Sequence, residues 1–420
     1  MQKLIVKGKI SLSGVIKISG SKNATLPILA ASILNNKKIE IGNIPLVKDV
    51  TTMVHLLKTM GSNIKFDSKK KKILIHNKNR PLKTVAPYSL LKTMRAGVIV
   101  LGPLLSKFKK AKVSLPGGCA IGSRPVNLHL FALKKLGATI KIKDGYILAR
   151  VKKELVGTQI KFPSISVGAT ENAIIAATYA SGTTYLSNCA CEPEIKNLTD
   201  FLKKMGANIF WSGKRKIKII GNKKLNSANH NVMFDRIEAG TFIIAGALMG
   251  KKLKISGIVP KILKKELTVL KRMGVKLAIK KNEIQVLDSR NLKATSVNTE
   301  PYPGFSTDLQ AQIMVLMTKA RGTSKIKENI FENRFMHVSE LNRMGAKIRV
   351  VGSSAYITGP QDLNGTEVMA TDLRASVSLV LAGLIAKNRT TVNRVYHLDR
   401  GYEKLEQKLR KCKASISRFY

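Results

Sequence analysis

The hydrophobic pattern of this chain repeats. A phrase of leucine, lysine (asparagine in the copy at Gly345), one variable residue, methionine or leucine, then glycine closes at Gly61, Gly137, Gly206, Gly274 and Gly345, and a sixth copy carries Lys413 where the others have glycine. Glycine at that point predicts a helix that stops on a left-handed residue, and the alternating stretch that follows, as in Ala138 to Ile142, predicts a strand. The copies recur every ~70 residues, too far apart for a small solenoid repeat. Half a unit earlier a second phrase also occurs six times, at Ser21-Lys22-Asn23-Ala24, Thr93-Met94-Arg95-Ala96, Ser166-Val167-Gly168-Ala169-Thr170, Asp235 to Gly240, Thr307-Asp308-Leu309-Gln310-Ala311 and Thr371-Asp372-Leu373-Arg374-Ala375. Several copies begin with Ser, Thr or Asp, the usual N-caps, and each opens an alanine-rich helix. The segments Ala173 to Ala180 and Ser376 to Leu384 are apolar nearly all round, which predicts helices buried on every side.

Polar turns into strands at GTTYLSN and RTTVNRV complete a β-α-β-α-β-β unit. Six units predict an α/β fold of two globular halves, three units each, with helices packed inside sheets. Charged and polar groups collect at the first turns of the inner helices. Helix N-termini carry unpaired N–H groups and a positive dipole end, so several facing one cleft would hold a multiply charged anion, whereas the same residues singly would only cap their helices.

Composition narrows the class. With 420 residues and 44% hydrophobic content the chain can bury sizeable cores. Its longest apolar run, Met94 to Leu105, contains Arg95 and is shorter than the ~20 residues of a membrane span. The amino terminus lacks the pattern of a secretory signal, so a cytoplasmic location is expected. The four cysteines, Cys119, Cys189, Cys191 and Cys412, lack zinc-site spacing and are too few for a disulfide framework, so no metal, disulfide or cofactor is expected. The formal net charge is +49. Alone it would suggest a polyanion partner, but the lysines are spread along the chain rather than gathered in one arm, and a single Trp211 offers no row of stacking platforms. A solvated lysine-biased surface is the simpler reading, with no specific nucleic acid and no membrane as partner.

Seven motifs carry a resemblance. Ser21 to Ala24, Lys92 to Ala96, Leu115 to Val126 (with Gly117-Gly118-Cys119 and Arg124), Thr307-Asp308, Phe331 to His337 (with Arg334), Thr371 to Ser376 (with Arg374) and His397 to Tyr402 (with Arg400) together resemble the UDP-N-acetylglucosamine enolpyruvyl transferases, within the EPSP synthase family, in family order over essentially the whole chain. The resemblance implies a two-domain inside-out α/β barrel, or α/β prism. One domain would be 22–232, carrying a Cys119 lid loop, and the other 1–21 plus 233–420, with the active site in the cleft between them. It implies transfer of the enolpyruvyl group of phosphoenolpyruvate to the 3-hydroxyl of UDP-N-acetylglucosamine, the first committed step of peptidoglycan synthesis, and inhibition by the epoxide fosfomycin, which alkylates the lid cysteine.

The chemistry asks for several fixed cations, because phosphoenolpyruvate carries a phosphate and a carboxylate on a small frame. By resemblance Lys22, Asn23 and Arg124 serve the phosphate, and Arg334, Arg374 and Arg400 the carboxylate end, with some sharing. The catalytic set would be Cys119 as proton donor, Asp308 as base, and Lys22 and Arg400 as charge clamps. A cation beside Cys119 favours thiolate, so its protonation state stays open. The nucleotide sugar would be held by Arg124, Pro125, Val126, Asn127 and Leu128, by Ser164, Ile165, Ser166 and Val167, and by Arg95, Asp308 and Ile330. Asn127 stands where many relatives carry Asp, and Ser164 where some carry Lys. The rival acceptor is shikimate 3-phosphate, used by the sister enzyme of the same fold; a rival of another class is a non-catalytic polyanion-binding protein. The Gly-Gly-Cys119 and Phe331-to-His337 phrases favour the amino sugar.

Overall fold

A computed structural model describes residues 2–77, 82–92, 94–117, 126–289 and 291–420. They divide into two compact units, one within 2–19 and 234–420, the other within 20–117 and 126–233. Each unit holds three four-stranded mixed sheets.

One sheet shows how the repeat is built. Gln159–Lys161 runs parallel to Thr183–Ser187, Lys216–Ile220 lies antiparallel beside the latter, and Asn208–Gly213 closes the far edge. Parallel neighbours need a crossover, and the apolar helix Val167–Thr178 supplies it. The amphipathic helix Pro193–Lys204 then returns the chain to an antiparallel hairpin. This is the β-α-β-α-β-β order read from the sequence. Three sheets borrow a strand from elsewhere in the chain. Ala228–Asn231 pairs parallel with Ile39–Gly42, and Leu12–Lys17 pairs parallel with Gly250–Ser256. Lys3–Lys7 lies between Arg389–Asn393 and Ser415–Phe419, antiparallel to both.

The inner helices form the cores. Lys22–Ala31, Leu101–Phe108 and Val167–Thr178 pack together in one unit, directly or through the short 3₁₀ turn Arg95–Val100; Arg236–Met249, Gln310–Met317 and Leu373–Ile385 pack together in the other. Close approach explains their small residues. A Cβ on Gly240 would meet the Leu309 side chain at 2.5 Å. The sheets turn their polar residues outward, and several lysines lie over tyrosine rings there, Lys112 over Tyr146, Lys218 over Tyr185 and Lys325 over Tyr356. These three positive charges thus sit on sheet faces. No helix among the described residues is long and apolar enough to cross a membrane.

The repeated phrase has a single physical meaning. Gly61, Gly137, Gly206, Gly274 and Gly345 all have φ between 89° and 104°. The amide after each donates to the carbonyl of the phrase's leucine, Ser62 to Leu57, Ala138 to Leu133, Ala207 to Leu202, Val275 to Leu270 and Ala346 to Leu341, which is the six-to-one bond of a Schellman cap. Ala414 makes the same bond to Leu409, but across Lys413 at φ 73°. A side chain in the left-handed region costs about 1–2 kcal/mol, so Lys413→Gly should stabilise the protein by about 1 kcal/mol after the entropy of glycine in the unfolded chain is subtracted. Gly137→Ala should lose a similar amount although its Cβ would meet nothing within 4 Å. Urea midpoints of the two variants should move in opposite directions; shifts of the same sign would show that the left-handed backbone is not what the phrase encodes.

Candidate active site

The inner helices start as the sequence indicated, with corrections of detail. Ser21 and Ser166 accept from Ala24 N and Ala169 N, each at 3.3 Å. Asp235 accepts from two amides of its first turn, and Asp372 from Arg374 N and Ala375 N. In the fifth copy the cap is Ser306 rather than Thr307, whose hydroxyl goes instead to Glu328 at 2.9 Å. In the sixth the cap is Asp372 rather than Thr371. Capping therefore accounts for these residues, and the candidate chemistry lies with their neighbours.

In the unit formed by Phe234–Tyr420 and the amino-terminal strands, Asp308 is gripped from both sides. Its Oδ1 accepts from Arg334 Nη2 at 2.8 Å and its Oδ2 from Arg374 Nη2 at 2.6 Å. The arginine side chains are only 3% and 8% exposed, whereas that of Asp308 is 25% exposed. Burial works against the charge of Arg374, but Asp308 and Tyr402 outweigh it and hold the guanidinium firmly protonated. The buried Tyr402 hydroxyl is the hub behind the pair. It accepts from Arg374 Nη1 at 3.3 Å and from Gln312 Nε2 at 3.2 Å, and lies 2.8 Å from the Thr241 hydroxyl. Thr241, Gln312 and Arg374 belong to three different inner helices, so one phenol fixes the cation relative to all of them.

Glu328 organises the adjoining turn. Its carboxylate accepts from the hydroxyls of Thr299 and Thr307 and from the amides of Ile330 and Phe331, which sets Ile330, and Arg334 stacks over the Phe331 ring at 5.1 Å. His337 is buried and pushed down to about 4, first by burial and then by Arg334, against the pull of Asp372. Arg400 ends the 3₁₀ turn Val395–Arg400; its charge, after burial, lowers His397, which Asp372 also faces. The structure thus collects Asp308, Ile330, Arg334, Arg374 and Arg400 in one unit.

Within the other unit, Lys22 Nζ pairs with Asp49 at 3.2 Å, both side chains being little exposed, and Asn23 follows in the same first turn. Val126, Asn127 and Leu128 open the helix Asn127–Lys135, and Ser164 to Val167 lead into the helix Val167–Thr178. These two starts lie against each other, since a Cβ on Gly168 would meet the His129 ring at 3.0 Å. Asn127, Ser164 and Val167 are exposed there. His129 is locked from behind. Asn172 accepts from Gly102 N at 2.7 Å, which orients its amide so that Nδ2 faces His129 Nδ1 at 3.1 Å. Burial and then the charge of Arg95 push His129 down to about 4.

A base whose folded pKa lies below the ordinary 6.5 contributes stability that is complete above 6.5 and is lost as pH falls towards 4. Between pH 7 and pH 5, His129 should account for about 2 kcal/mol of lost stability. Glu171, Glu238 and Glu266, raised mainly by burial, pull the other way, so the comparison must be differential. In His129→Asn, whose carbonyl can still accept from Asn172, the loss measured by urea unfolding should shrink by that amount. An identical pH dependence in the two proteins would contradict the assignment.

Cys119, Arg124 and Pro125 lie outside the described residues. Cys189, Cys191 and Cys412 are buried, and burial raises all three thiols, Cys189 to about 12 despite Arg215. Among the described residues no group of three or more His, Cys, Asp or Glu side chains could hold a metal ion. Sequence reasoning missed Asp49, Thr241, Gln312 and Glu328. Only Gln312 left a signal, as one of two glutamines in an inner helix whose other residues are apolar.

The family model of EPSP synthase (3-phosphoshikimate 1-carboxyvinyltransferase) matches residues 6–409, and the chain belongs to this family. Two relatives at 50% identity or more carry the same activity in their names. The chain is 59% identical over 418 residues to the UDP-N-acetylglucosamine 1-carboxyvinyltransferase of Pelagibacter ubique, covering all of both chains, and 50% identical to UDP-N-acetylglucosamine 1-carboxyvinyltransferase 1 of Caldanaerobacter subterraneus subsp. tengcongensis, covering 99% of each. Among solved structures it is similar to the enolpyruvyl transferase NikO from Streptomyces tendae, with TM-score 0.90 and 25% identity over 99% of this chain and 98% of that one. An EPSP synthase from Acinetobacter baumannii shares the fold at TM-score 0.77 and 17% identity, each chain being covered in full.

Proposed function

We infer that this chain is a transferase that moves the enolpyruvyl group of phosphoenolpyruvate to the 3-hydroxyl of UDP-N-acetylglucosamine and releases phosphate. The observation that carries the choice of acceptor is the identity of 50–59% over whole chains to relatives named for that reaction. The geometry supports the roles. The sugar oxygen adds to the central carbon of the enol while a proton is added to the terminal carbon; the tetrahedral adduct then loses phosphate as a proton leaves the methyl group. Asp308 takes the proton of the sugar hydroxyl and later one from the methyl group, and Cys119 donates the proton to carbon. Arg334, Arg374 and Arg400 hold the substrate carboxylate. Lys22, Asn23 and Arg124 hold the phosphate and stabilise it as it departs. The two adjoining helix starts, Val126 to Leu128 and Ser164 to Val167, with Arg124, Pro125, Arg95 and Ile330, hold the nucleotide sugar; exposed backbone amides at such ends suit a diphosphate.

Incubation with phosphoenolpyruvate and each acceptor in turn tests the reading. UDP-N-acetylglucosamine should yield phosphate and a product heavier by the enolpyruvyl group in the mass spectrum. Phosphate release with shikimate 3-phosphate and none with the amino sugar would overturn it.

A further inference from the structure

We propose that Asp308 plugs the subsite for the substrate carboxylate. Its own carboxylate occupies the place between Arg334 and Arg374 that phosphoenolpyruvate takes, and it becomes available as a base only when the substrate has displaced it. The inference rests on the reading of these arginines as the carboxylate end of the site.

Three observations carry it. The first is the match of groups. One guanidinium nitrogen from each arginine meets one oxygen of a single carboxylate, at 2.8 and 2.6 Å, and the substrate offers the same two-oxygen group. The second is the order of burial. The cations lie deep and Asp308 is the outward member, so an anion reaching those two nitrogens must take the position of its carboxylate. Arg334 also keeps Nη1 buried and without a hydrogen-bond partner, a donor that Asp308 leaves unspent. The third is the difference in anchoring. Arg374 is tied to Tyr402, and Tyr402 to Thr241 and Gln312, while Asp308 sits in the short 3₁₀ turn Thr307–Leu309, where Gln312 Nε2 holds its backbone carbonyl rather than its side chain. Rotation about the Asp308 side-chain bonds exchanges one carboxylate for another and leaves the arginines where they are.

Exchange couples two events of the reaction. While both oxygens of Asp308 accept from guanidinium groups, the lone pairs spent there are not available to a sugar hydroxyl. When the substrate carboxylate takes both arginines, like-charge repulsion drives Asp308 off the pair and its lone pairs become free to accept a proton. The base is thereby withheld until the enol is bound.

The exchange predicts an affinity change of unusual sign, because removing a residue of the site should tighten binding. The probe is 2-phospholactate, a carboxylate and a phosphate on a saturated frame that cannot accept the sugar, with isopropyl phosphate as the control lacking a carboxylate. If the plugged arrangement is about ten times as populated as the open one, Asp308→Asn should bind phospholactate about tenfold more tightly than the wild type by calorimetry. Isopropyl phosphate should bind both proteins alike. Asp308→Ala should repeat the result, with circular dichroism verifying that each variant is folded. Unchanged or weaker phospholactate binding in the folded variants overturns the proposal, and so does an equal gain for isopropyl phosphate, which would reflect net charge alone. Turnover of the same variants reports separately on the base role. Tighter binding with turnover intact would sustain the plug and remove Asp308 as the base, whereas lost turnover without tighter binding would do the reverse.

Discussion

Asp308→Asn should lower turnover by about 10²- to 10⁴-fold, the usual contribution of a positioned general base, while UDP-N-acetylglucosamine binds within a few-fold of its wild-type affinity. The amide is nearly isosteric, and its carbonyl can still accept from Arg374 or Arg334, so the clamp loses one charge-assisted bond rather than its shape. What it lacks is an oxygen able to take up a proton. Single-turnover rates with both substrates, set beside calorimetric titration of the nucleotide sugar, separate the two quantities. A variant retaining more than about a tenth of wild-type turnover would exclude Asp308 from proton transfer, because that loss is smaller than general-base catalysis provides. Equal losses in rate and sugar affinity would point to a binding role alone.

Cys119 should behave as the one reactive thiol of the chain. The other three cysteines are buried and their thiols raised, so alkylation by fosfomycin should add a single adduct, and peptide mapping should locate it at Cys119. Cys119→Ser should lose about 10²-fold or more in turnover, since the serine hydroxyl is a far weaker acid and its alkoxide a poor conjugate base. Cys119→Asp should remain active and resist the drug, because a carboxyl group close to an anionic substrate has its pKa raised and can stay a donor near neutral pH. Phosphate-release assays on the three proteins, with and without fosfomycin, read all of this. Wild-type turnover in the serine variant, or inactivation of the aspartate variant at the wild-type rate, would remove Cys119 from both roles.

Much of this was legible in the chain itself, for physical reasons. The glycine phrase could be read because a Schellman cap is local: six residues and two backbone bonds determine it, and even the Lys413 copy keeps the geometry. The inner helices could be read because burial on every side leaves no polar face. Asp308, Arg334 and Arg374 could be picked out by motif, but not their mutual grip, because it joins residues 26 and 66 positions apart through side-chain rotation. Tyr402 as a hub was equally hidden, since a buried tyrosine in a sequence looks the same whatever its hydroxyl meets. The borrowed strands left no mark either. Lys3–Lys7 alternates like any strand, and nothing in its own residues says that its partners lie at Arg389–Asn393 and Ser415–Phe419, near the other end of the sequence.

That strand bears on how the protein is made. Gly20–Gly118 and Arg124–Met233 contain every strand of their own three sheets, so this unit has all its β-pairing partners once the ribosome has delivered residue 233. The other unit has no such early moment. Lys3–Lys7 precedes the other described strands along the chain, and its partners, Arg389–Asn393 and Ser415–Phe419, follow all the rest. Over the long stretch of synthesis that separates it from them its native partners do not yet exist, and unpaired extended chain of this kind is open to whatever else in the cell binds strand edges.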